Sequence, residues 1–154
     1  MSTLLGQALH PAHLISELKT RSRDSVLVEL ARQAQEAGVA LEADLLSAAL
    51  RMRERLGPTC VGRGVAIPNA RSLTVARPVV MVGRSRRGVD WGAADGEAVR
   101  LVVLVLSPAT MPAARHLAEV ARALAATRTA RARQRLLESV SAEAVAGLLR
   151  EVTG

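Results

Sequence analysis

A chain of 154 residues, 49% of them apolar, is long enough for one domain with its own core and too apolar for intrinsic disorder. Its formal charge of +7 is carried almost wholly by arginine, since Lys19 is the only lysine, which brings nucleic acid, anionic lipid or an acidic protein into question as partners. Trp91 is the only aromatic among Phe, Tyr and Trp, so the stacking platform of single-strand binders is missing and no nucleic-acid partner is expected.

Cys60 stands alone, which rules out an internal disulfide or a cysteine metal cluster and suits a reducing cytoplasm. No apolar run reaches the length of a membrane span, and the N-terminus lacks the basic head and apolar stretch of a signal peptide. A cytoplasmic protein is expected, with no membrane insertion. There is no internal repeat, low-complexity tract or long linker, so residues 1–154 are read as a single domain.

Near the N-terminus, His10 and His13 could approach one metal ion, but no third ligand is evident. A solvated turn or short strand is expected there, and no metal site. Ser22 or Ser25 can cap a helix running to about residue 37, with Val26, Leu27, Leu30, Ala31 and Ala34 on one face and Gly38 as its stop. A second helix is expected over about 41–56. Its apolar face holds Leu45, Leu46, Ala49, Leu50 and Met52, and Arg51, Arg53 and Arg55 gather where the helix dipole favours cations.

Glycines frame the short apolar run Val65 to Ile67, and Pro68 closes it, as for a brief buried strand followed by a turn. Asn69 and Arg71 are thereby delivered to a loop at a strand end. Taken on spacing alone, this reads more readily as an ordinary Asn-containing turn beside a charged surface residue than as a functional site. A strand over 76–83 and a polar turn over 84–91 follow. Residues 99–106 are apolar except Arg100 and read as a strand buried on both faces.

Helices are expected over about 112–126, 128–138 and 142–152. The first would face inward through Leu117, Val120, Ala121 and Leu124. His116 lies near its start, where the dipole disfavours positive charge, so a neutral imidazole is expected, either as a site residue or as a partly exposed histidine. The element order predicts an α/β fold, a small mixed β-sheet flanked by helices on both faces.

The stretch Gly62-Arg63-Gly64-Val65-Ala66-Ile67-Pro68-Asn69-Ala70-Arg71 resembles the G-x-G-I-A-I-P-H-G-R signature of phosphotransferase-system enzyme IIA domains of the fructose, mannitol and nitrogen-regulatory type. Arg53-Glu54, Leu56-Gly57 and Thr59 resemble the R-E-x-L-G-x-T approach to that motif. Gly88-Val89-Asp90-Trp91, Asp95-Gly96 and Val99-Arg100-Leu101-Val102 resemble its G-I-D-F…D-G…V-x-L-V segment, and Pro108 with His116-Leu117 its P…H-L helix start. The likeness spans roughly residues 10–152.

The resemblance implies a phosphocarrier in which a histidine at the end of the I-P-H strand takes a phosphoryl group from an HPr-like carrier. The group then passes to a IIB-like domain, or the phosphorylation state signals to a regulator. It implies an arginine and a second histidine around the acceptor, at Arg53 and His116. At the acceptor position itself stands Asn69, with Ala70 after it. An amide nitrogen delocalises its lone pair into the carbonyl and is no nucleophile near neutral pH. The expectation is therefore a regulatory protein-binding module with no catalytic residue and no cofactor. Its pocket would be formed by Arg53, Thr59, Asn69, Arg71 and His116, with Arg63, Arg71, Arg84, Arg86 and Arg87 on a basic docking face. Partners would be an HPr-like carrier, a IIB-like domain, a regulator or a second copy in a homodimer. Two other readings remain: a phosphocarrier working through His116, and an anion-sensing module using Arg53, Asn69, Arg71 and His116.

Overall fold

The computed structural model describes the backbone of residues 10–153 and the side chains of residues 10–151. Its central strand is β6 (Val99–Pro108), and every other strand except β1 and β2 pairs with it directly. The order across the sheet is β1 (Leu14–Ile15), β5 (Val79–Val89), β6, β3 (Val65–Ala66) and β2 (Cys60–Gly62). β4 (Asn69–Ser72) continues the line of β3 along the same edge of β6. β5 runs antiparallel to β6; β3 and β4 run parallel to it.

β6 is apolar along nearly its whole length because helices cover both faces of the sheet. Val102, Leu104 and Leu106 point into a core shared with α1 (Arg23–Glu36) and α2 (Ala43–Leu56). Leu101, Val103 and Val105 point the other way, toward α3 (Ala113–Ala126), α4 (Ala130–Glu138) and α5 (Ala142–Thr153). This is the expected mixed sheet with helices on both faces. In α1 the five predicted apolar residues are all fully buried, and Ser22 rather than Ser25 is the cap, its hydroxyl accepting the Ser25 N–H at 3.4 Å.

Four expectations change. Pro68 does not turn the chain away: its carbonyl accepts the Val105 N–H at 3.0 Å, so pairing with β6 is kept across the proline, and Asn69 and Arg71 stand on a strand instead of a loop. The polar stretch after residue 83 is not a turn: β5 continues to Val89, with Arg84 and Val89 paired to Leu101 and Val99 of β6 and a bulge between them. Gly88 makes that path feasible, with φ of +85° and a would-be Cβ only 2.5 Å from the Ala98 Cβ.

In α2, Leu45 and Met52 face solvent, while Ser47 and Glu54 are buried. In α3, Leu117 and Leu124 are exposed and Ala121 is not buried; the inward positions belong to His116, Glu119, Ala123 and Ala126. Both helices are rotated from their apolar stripe because a hydrogen-bonding side chain takes a core-facing position.

The N-terminal segment opens as a single 3-10 turn at Pro11–His13, where the His10 Nδ1 accepts the Ala12 N–H at 3.0 Å. Among the described residues no helix is long and apolar enough to cross a membrane.

Candidate functional site

Three elements converge where β6 ends. Ser107, fully buried, is its penultimate residue. After Pro108 the chain turns and starts α3, where the His116 N–H donates to the Pro112 carbonyl at 3.1 Å and sets the histidine in the first turn. β4, in register with β6 through Asn69 and Val105, brings Asn69 alongside.

These residues form one chain of hydrogen bonds. The Asn69 Nδ2 donates to the Ile67 carbonyl at 3.0 Å, which turns its Oδ1 toward His116. That oxygen lies 3.0 Å from the His116 Nε2, and the Ser107 Oγ lies 2.7 Å from the His116 Nδ1. An amide oxygen can only accept, so Nε2 carries the proton. A neutral ring then leaves Nδ1 as an acceptor, satisfied by the Ser107 hydroxyl. Asn69 and His116 are 6% and 4% exposed, so both ring nitrogens and the amide are matched by protein groups away from solvent.

Electrostatics agree with a neutral ring. Burial holds the His116 imidazole below the ordinary histidine range, and the positive charges of Arg71 and then Arg53 push it further down. All three effects favour the neutral imidazole, and burial is the largest of them.

Of the five expected pocket residues, four lie around this cluster. Asn69 and His116 are in contact. Arg71, on β4, donates from Nη1 to the Met111 carbonyl at 2.9 Å, and Arg53, on α2, donates from Nη1 to the Gly57 carbonyl at 2.8 Å. Each guanidinium carries five N–H groups, so both keep donors for an anion.

Thr59 is not brought in. Its N–H and hydroxyl both donate to the buried Glu54 carboxylate, at 2.8 and 2.7 Å, and the Trp91 indole N–H donates to the same carboxylate at 2.9 Å. Nor do the five arginines share a docking face. Arg84 is buried under the end of α4, its Nη1 donating to the carbonyls of Leu136, Leu137 and Ser139, while Arg71 lies at the opposite end of the sheet.

Sequence reasoning missed Ser107, and it named Glu54 only within the R-E-x-L-G-x-T likeness, without a role. A lone serine closing an apolar run before a proline was the available signal for Ser107. Glu54 looks like one more charge on a helix end. Among the described residues no group of three or more His, Cys, Asp or Glu side chains is placed to hold a metal ion.

Residues 7–152 match the family described as the phosphoenolpyruvate-dependent sugar phosphotransferase system, EIIA 2, and the chain belongs to that family. The nitrogen regulatory protein of Bradyrhizobium diazoefficiens is 33% identical over 139 residues, covering 90% of each chain. The fructose-specific EIIABC component of Bacillus subtilis is 28% identical over 135 residues; these are 87% of this chain but only 21% of that relative.

Among solved structures, the nitrogen regulatory protein IIA-Ntr of Neisseria meningitidis superposes with a TM-score of 0.85 at 28% identity, over 96% of this chain and 99% of that one. IIA mannitol of Escherichia coli, solved in complex with phosphorylated enzyme IIB mannitol, shares the fold with a TM-score of 0.76 at 20% identity, over 93% and 97%.

Proposed function

We propose that this chain is a IIA-type domain of nitrogen-regulatory or fructose type that does not accept a phosphoryl group and acts by binding a protein. One observation carries the reading: an amide, Asn69, opens β4 after Ile67-Pro68, and its oxygen accepts the Nε2–H of the neighbouring imidazole, with N and O 3.0 Å apart. In-line attack on phosphorus needs an available lone pair on the nucleophile. Asn69 has none on nitrogen. His116 has none on Nε2, and its Nδ1 faces the Ser107 hydroxyl in the interior.

The same geometry counts against transfer through His116. An incoming phosphoryl donor would have to displace either Asn69 or Ser107 to reach a ring nitrogen. Binding in this fold is supported by the complex of the mannitol relative with its phosphorylated IIB partner. Here Leu73, just after β4, and Leu117, next to His116 in sequence, are 89% and 60% exposed and offer apolar surface on the two elements that carry the site. A IIB-like domain, an HPr-like carrier or a regulator fits such a surface, in the cytoplasm where such carriers work. Nucleic acid does not.

The test is phosphoryl transfer from phosphoenolpyruvate through the general phosphotransferase proteins, read by intact mass. The wild-type chain is expected to gain no phosphoryl mass. A stoichiometric gain that disappears in His116→Ala would establish the phosphocarrier reading instead.

A further inference from the structure

Several arginines outside the Asn69 site gather at one place. Between the second half of β5, the start of β6 and the segment after β1, a cavity of about 750 Å³ opens to solvent. Six basic side chains line it: Lys19, Arg21, Arg84, Arg86, Arg87 and Arg100. Its lining includes a single carboxylate, Glu17, whose oxygens accept the Arg86 backbone N–H at 3.2 and 3.0 Å. Arg84 is fixed by the carbonyls at the end of α4 and cannot swing away. The side chains of Lys19, Arg21, Arg86, Arg87 and Arg100 make no hydrogen bond or ion pair with other described residues. A second cavity, sharing Arg100 with the first, adds Arg63 and Arg133.

Clustered like charge repels and raises the local potential, and this cluster is concave, so an anion bound there meets several cations at once. The volume is that of a small-molecule pocket, not of a flat protein face. Guanidinium groups pair bidentately with phosphate oxygens, and several of them favour a ligand with several phosphates over one. No aromatic side chain lines the cavity, so a nucleobase would find nothing to stack on.

We propose that this basic cavity binds a small anion carrying two or more phosphate groups. It is a site separate from Asn69 and His116: Arg100 and Ser107 lie toward opposite ends of β6, roughly 23 Å apart along an extended strand. The proposal goes beyond the protein-binding reading and stands whether or not the chain is phosphorylated.

Calorimetric titration at near-physiological salt tests it, with inorganic triphosphate, pyrophosphate, orthophosphate and a hexaglutamate peptide as probes. Saturable binding of triphosphate and pyrophosphate at one site is expected, at least about tenfold tighter than orthophosphate. The double variant Arg86→Ala with Arg87→Ala, and separately Arg100→Ala, should each weaken triphosphate by at least about tenfold while unfolding at wild-type urea concentration. Three results would overturn the proposal. One is no saturable triphosphate binding. Another is a loss in Arg71→Ala with none in the Arg86 and Arg87 variant, which would put the anion beside His116. The third is tighter binding of the peptide than of triphosphate, which would make the cavity a docking face for an acidic protein.

Discussion

His116 is the residue in which structure and chemistry meet most closely. Its ring is neutral because burial, Arg71 and Arg53 all oppose protonation, and Asn69 and Ser107 hold the neutral tautomer in place. In the unfolded chain the ring has the ordinary value of about 6.5. Its folded value is lower, so below the unfolded value the unfolded chain binds a proton that the folded one does not. The contribution of His116 to stability is therefore complete above about pH 6.5 and is lost as pH falls toward the folded value, at no more than about 1.4 kcal/mol per pH unit. His13 is depressed in the same direction, by burial and then by His10 and Arg77, so the wild-type slope mixes the two. Urea unfolding at pH 5 and pH 7 in wild type and His116→Gln separates them: the variant should lose less stability on acidification. Equal losses would mean that the ring is not held neutral in the folded protein.

Among the elements, α2 shows how a helix can be turned by one polar side chain. Glu54 is buried and receives three donors, from the Thr59 N–H, the Thr59 hydroxyl and the Trp91 indole. It ties the end of α2 to the strand entering the site and to the segment after β5. Glu54→Leu leaves all three donors unpaired in the interior and should cost at least about 2 kcal/mol. Trp91 is the only aromatic among Phe, Tyr and Trp, so its fluorescence reports the change directly, and a urea unfolding curve indistinguishable from wild type would show that the carboxylate is dispensable. The same feature explains what periodicity could and could not show. α1 was legible because its inner face is wholly apolar. α2 and α3 were misaligned because Glu54 and His116, polar in sequence, are buried on the inner faces, while Leu45, Met52, Leu117 and Leu124 are exposed. β5 was cut short because its second half is arginine-rich, and its pairing to β6 resumes only at Val89, past a bulge that periodicity does not reveal.

Taken whole, the molecule separates two charge environments at opposite ends of one sheet. The fold class was readable from element order and from the two-faced apolar run that became β6. The Asn69 site was readable only through its family likeness, because spacing alone favoured a turn residue at Asn69. The basic cavity was not readable, since Lys19, Arg21, Arg84, Arg86, Arg87 and Arg100 come from three segments that only the sheet brings together. The split also shows why a single arginine docking face was the wrong expectation: strand direction sends Arg71 to one end and Arg84 to the other.

The central claim is that the scaffold remains while the nucleophile does not. Asn69→His places an imidazole at the end of the same strand, with Arg53 and Arg71 still beside it. The decisive measurement is phosphoryl occupancy by intact mass of wild type and Asn69→His, incubated side by side with phosphoenolpyruvate and the general phosphotransferase proteins. The expected result is none in wild type and acid-labile occupancy in Asn69→His. Stoichiometric phosphorylation of the wild-type chain would contradict the claim.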